Sequence, residues 1–165
     1  MARSVLIVLL AGLVITHPAR AQSKPDFSGT WTMDEARSES AHYPDFVGPV
    51  TVVITQTLTE LTVETRRGDK SSSVSYRIVD APRGQTATPA EASVGPPFDS
   101  YWNGSSLVSE TVQDVPYTVR SKEVRTLSDD GREMTVETTL IVEHGYTLPG
   151  TKNYGTGMDH YRKRP

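Results

Sequence analysis

Apolar and polar residues alternate with a period of two along most of this chain. The cleanest run is Met134-Thr135-Val136-Glu137-Thr138-Thr139-Leu140-Ile141-Val142-Glu143. Its even positions are apolar or threonine and its odd positions are mostly polar, Ile141 excepted. A strand with one face on a core and the other in water needs this pattern. Ser72–Val79 likewise sets Val74, Tyr76 and Ile78 on one face. Phe27–Met33, Val50–Gln56, Leu58–Arg66, Tyr101–Glu110, Tyr117–Leu127, Arg132–Glu143 and Met158–Lys163 read the same way, so the pattern predicts about eight strands. The many Thr and Val residues suit a half-buried pleated surface.

The punctuation between these runs predicts hairpins. Arg67-Gly68-Asp69-Lys70 and Asp129-Asp130-Gly131 are turn sequences, and Asn103-Gly104 is a turn pair that allows its run to split into Tyr101–Asn103 and Ser105–Glu110. The short gaps favour antiparallel neighbours. One helical turn is expected over Asp34–Ser38, with Asp34 as its cap. Two long loops are expected, residues 80–99 with four prolines and residues 144–157 with Pro149. The architecture these elements predict is all-β, an antiparallel up-and-down barrel that removes exposed edges by closing on itself.

The first residues have a different character. Arg3, the apolar stretch Val5–Ile15 and Ala19-Arg20-Ala21 form the pattern of a signal peptide over residues 1–21. Residues 22–165 are then expected as a single exported domain, periplasmic or secreted. No later stretch is long and apolar enough to span a bilayer as a helix. The polar outward faces and an aromatic content of 7% speak against a membrane barrel. The absence of cysteine removes disulfides. The formal charge is −3, and the two arginines of the leader contribute to it, so the exported body is more acidic still, which argues against nucleic acid as a partner.

The opening Gly29-Thr30-Trp31 resembles the Gly-x-Trp of the first strand in lipocalins and their calycin relatives. That resemblance implies a barrel whose Trp31 plugs the closed end, with an arginine near the end of the last strand lying across it. Arg162 is the residue in place for this, and Arg164 the less favoured choice. The wider phrase from Pro25 to Ser38 is similar to exported bacterial proteins with a lipocalin-like domain. The family's Thr-Asp-Tyr between later strands has no counterpart, and Asp159-His160-Tyr161 lies in the last strand instead. No activity comes with the resemblance.

Motifs for catalysis are lacking. His42, His144 and His160 show no metal-ligand spacing, and no Gly-x-Ser-x-Gly elbow occurs. Neither a metal nor a cofactor is expected. A pocket for a small hydrophobic ligand fits the pattern better, since small barrels either fill with side chains or hold one small molecule. Val52, Ile54, Leu61, Val63, Val74, Tyr76, Ile78, Val136, Leu140 and Val142 form the expected inner set, interrupted by Thr138. Tyr76, Trp102, Tyr117, Arg125, His160 and Tyr161 are the candidate ligand-binding residues, and the apolar set would equally serve a filled core.

Tyr117–Leu127 is anomalous. If its odd face points inward, Glu123 and Arg125 enter the barrel, where charges persist only when paired. The reading favoured by pattern is a β-bulge near Ser121 that puts Val124 inside. Without the bulge, Arg125 is the natural anchor for an anionic head group such as a carboxylate. The leading functional expectation is an exported binder of a lipophilic or amphipathic molecule. The alternatives are an interaction or inhibitor module working through loops 80–99 and 144–157, and a barrel-mouth enzyme using His160, Tyr161 and Glu123.

Overall fold

A computed structural model describes residues 24–41, 49–80, 98–114, 118–143 and 153–165. The leader, Tyr117 and residues 81–97 and 144–152 of the two expected loops lie outside the described residues. Among the described residues nine strands form one closed barrel: β1 (Gly29–Met33), β2 (Val50–Gln56), β3 (Glu60–Arg67), β4 (Lys70–Val79), β5 (Phe98–Asn103), β6 (Ser106–Asp114), β7 (Thr118–Leu127), β8 (Glu133–Glu143) and β9 (Asn153–Lys163). Neighbours in sequence are neighbours in the sheet, and β9 pairs with β1 to close it. Alternation decides which residues are inside: Val50, Val52 and Ile54 on β2, Leu61 and Val63 on β3, and Met134 and Val136 on β8 are buried.

Two features depart from the eight-stranded antiparallel expectation. Asn103 pairs with Ser106 around Gly104, whose φ of +61° suits glycine, so the Tyr101–Glu110 run becomes two strands. The pair β4–β5 is parallel, with Tyr76 opposite Phe98 and Val79 opposite Tyr101. A parallel pair needs a connection long enough to return along the barrel. The stretch between Val79 and Phe98 has that length.

The β2–β3, β5–β6 and β7–β8 turns lie at the closed end of the barrel. Phe27 and Trp31 are both fully buried there, and the Trp31 indole N–H donates to the Phe27 carbonyl at 2.9 Å. Gln56 ties the incoming chain to β2: its amide donates to the Pro25 carbonyl, and its side-chain oxygen accepts from Phe27 N–H.

The cation over Trp31 is Lys163, with Nζ 5.2 Å from the ring centroid, and not Arg162. The ladder explains the correction. Trp31 faces inward and pairs with Lys163, whereas Arg162 pairs with outward-facing Thr32. The Arg162 side chain is 64% exposed and bonds Asp34 at 2.8 Å. Arg164 donates to the Thr32 hydroxyl, also away from the tryptophan. Gly29, at φ +136°, leaves the path for the lysine stem, because a Cβ there would fall 2.6 Å from Lys163 Cε.

The expected helical turn is a 3-10 turn over Glu35–Arg37. Asp34 does not cap it through its side chain. Its carboxylate instead holds Arg162. After this turn Glu39 bridges Met158, and the chain crosses tightly over Gly157. A Cβ on Gly157 would lie 2.0 Å from Ala41 N, so only glycine admits this approach.

Candidate functional site

The barrel encloses a cavity of about 860 Å³, within the range of small-molecule sites. It is framed at the end where β3 turns into β4, by Arg67 to Ser72, with Thr111 and Gln113 of β6 and Val119 and Ser121 of β7. Below this mouth the lining includes apolar Val52, Val63, Val74, Phe98, Met134, Val136 and Leu140. At the level of Val136 and Met134 the same lining brings polar Tyr76, Glu123, Arg125, Thr138, Asp159 and Tyr161 together.

The register of β7 places the charges. Its ladder to β6 runs from Thr118 to Arg125 and its ladder to β8 from Thr118 to Leu127, both without an offset. There is therefore no bulge at Ser121, and the odd face carries Glu123 and Arg125 inward. The reason the charges can stay is their proximity on one face. Arg125 is buried, and its Nη2 donates to the Glu123 carboxylate. Its Nη1 donates to Ser109 Oγ at 2.8 Å, and Ser109 shares a 2.7 Å hydrogen bond with Ser100. The Tyr76 ring lies 5.8 Å from the guanidinium. Hydrogen bonds and the opposite charge offset the desolvation penalty of a buried charge, which an isolated one would bear in full.

The ionisation states follow from this crowding. Burial pushes the Tyr76 phenol up to about 12, with Glu123 adding to the effect. Burial, Asp159 and Glu123 push Tyr161 up further, against the opposing pull of Arg125 and Arg67. Burial acts against the charge on Arg125, but Glu123 and the two phenols outweigh it, and its pKa is raised. Both phenols are therefore donors at neutral pH.

A raised phenol pKa makes folding depend on alkaline pH. The stabilisation from neutral Tyr76 is fully present below about pH 10 and is lost as pH rises through about 12. Urea midpoints measured across this window should fall steeply for the wild type. The fall should be shallower for Tyr76→Phe, and an unchanged slope would contradict the burial of this hydroxyl.

Of the other candidate residues, Trp102 lies at the closed end, with its ring centroid 6.2 Å from that of Phe27 and Lys24 Nζ above it. It does not line the cavity, because β5 carries it toward the Asn103 turn. His160 lies on the opposite face of β9 from Asp159 and Tyr161. Its N–H donates to Ser38 Oγ, and its ring Nδ1 is 3.4 Å from Thr135 Oγ1. His160, Tyr161 and Glu123 therefore do not converge. Asp159 is the inward residue that the pattern of β9 concealed; Ser40 donates to it at 3.2 Å. Its signal was the two-residue spacing from Tyr161.

No family model matches this chain, and no curated protein matches it. Among solved structures, the fluorescent protein UnaG aligns over 84% of this chain and 97% of its own, at 16% identity and a TM-score of 0.50. The fold is a calycin-like barrel. A secretory abundant heat soluble protein from Ramazzottius varieornatus aligns over 83% of this chain and 94% of its own, at 11% identity and a TM-score of 0.48. A mutant of the REP1-NXSQ fatty acid transporter covers 84% of this chain and 98% of its own, at 12% identity and a TM-score of 0.45. At these identities the likeness is one of fold.

Proposed function

We propose that this protein binds one small amphipathic molecule inside its barrel and works as an exported carrier or scavenger of it. The observation that carries the reading is the cavity itself: about 860 Å³, lined by apolar side chains together with a cluster of buried polar ones. A barrel meant only for stability would fill this space, since protein interiors tolerate few voids larger than water. The apolar wall supplies affinity for a hydrocarbon body, and the buried phenols supply fixed donors for orientation. The signal-peptide pattern at residues 1–21 supports an exported carrier.

Saturable uptake of a neutral lipophilic fluorophore, at one site per chain, is the expected result. Thr138 is buried and lines the cavity, so Thr138→Trp places an indole in the ligand's space. That variant should remain folded by circular dichroism and lose the uptake. Equal uptake by both proteins would place the probe elsewhere and count against the reading.

A further inference from the structure

The inward turn of Arg125 invites the conclusion that the cavity selects an organic anion. The arrangement around it points the other way. Resting on the reading of the cavity as a ligand site, we propose that the ligand is an uncharged amphiphile with a hydroxyl or amide end, and that Glu123 excludes carboxylates from Arg125.

The argument begins with the order of residues along β7. This strand runs from the mouth toward the closed end, so a molecule entering from the mouth reaches Glu123 before Arg125. Exposure follows the same order, 20% for the Glu123 side chain and 4% for that of Arg125. The guanidinium is also engaged, by Glu123 on one nitrogen and Ser109 on the other. A ligand carboxylate would have to displace the protein's own carboxylate, which is tethered two residues away on the same face.

The surrounding charges give an anion no compensation. Asp159 is a second buried carboxylate, aligned with Arg125 through the row Arg125–Val136–Asp159 across β7, β8 and β9. Arg67 is a second cation lining the cavity. The inner set of Arg67, Arg125, Glu123 and Asp159 thus has no net charge before any ligand arrives. An added anion would be a surplus charge in a poorly solvated site, beside two of its own sign. Like-charge juxtaposition of this kind disfavours the anion. A hydroxyl or amide avoids that cost. It can donate to a carboxylate oxygen and accept from the Tyr76 or Tyr161 phenol.

The test compares 1-dodecanol, dodecanamide and dodecanoate, which share one hydrocarbon body, by displacement of a neutral fluorophore at neutral pH. The wild type should bind the alcohol and the amide about tenfold or more tightly than the carboxylate. Glu123→Gln keeps the shape, removes the competing charge and should shift the ratio toward the carboxylate by a similar factor. A wild type that prefers dodecanoate, with a ratio unmoved by Glu123→Gln, would overturn the proposal. The wild-type comparison stands by itself even if the variant folds poorly. Failure of all three compounds to bind, with the fluorophore also failing to bind, would instead overturn the ligand-site reading on which this inference rests.

Discussion

Arg125→Met is expected to destabilise the barrel by about 3 kcal/mol, the lower end of the range for breaking a buried ion pair. The loss comes less from the missing arginine than from what it leaves behind. Glu123 would hold a charge in the barrel without its guanidinium, and Ser109 would lose a donor at 2.8 Å. The cost stays at the low end because the Glu123 side chain keeps 20% of its surface exposed. The double variant Arg125→Met with Glu123→Gln should recover most of the loss, since it removes both charges together. Denaturant titrations of the four proteins in this cycle measure the coupling. Two losses that add within about 0.5 kcal/mol would mean that the residues do not act as a pair.

The second large effect is expected at the closed end. Trp31→Ala should cost roughly 3–5 kcal/mol, the range for deleting a large aromatic from a packed core. Trp31 is fully buried between the chain at Phe27 and the stem of Lys163. Trp31→Phe should cost less but still lose the 2.9 Å bond to the Phe27 carbonyl, worth about 1 kcal/mol. The identity of the covering cation can be checked in the same experiments. Lys163→Ala should cost about 0.5–1 kcal/mol through the lost contact with the indole. Arg162→Ala should change stability by less than about 0.5 kcal/mol, because its own side chain is exposed and its pairs lie outside the barrel. The reverse order would restore Arg162 as the barrel-end residue.

These effects also show which parts of the structure could be read from residues alone. The strands and their inward faces were legible wherever β-branched residues alternate with polar ones, as on β2, β3 and β8. The parallel return between β4 and β5 was not, because nothing in the intervening residues encodes the direction in which the chain comes back. On β7 the rule that apolar residues point inward misled, because that strand lines a cavity whose wall carries polar partners, Ser109 and Asp159 among them. Glu123 and Arg125 satisfy each other there, so no bulge is needed to expel them. On β9 two inward positions are Gly155 and Gly157, which carry no side chain to mark the face. His160 and Tyr161 were therefore both candidates for the site although they face opposite ways, and the barrel-end cation was expected at Arg162, one residue short of Lys163. The shift is one residue, and in a strand one residue exchanges the two faces. The same step moved the role expected of Arg162 to Lys163.

The central claim is that the cavity exists to be occupied. It is tested most directly by native mass spectrometry of the protein purified gently from its own cells. The account predicts one extra small mass per chain, retained under native conditions and lost on denaturation, from a compound without net charge. A bare chain, together with no saturable uptake of a neutral lipophile, would contradict it.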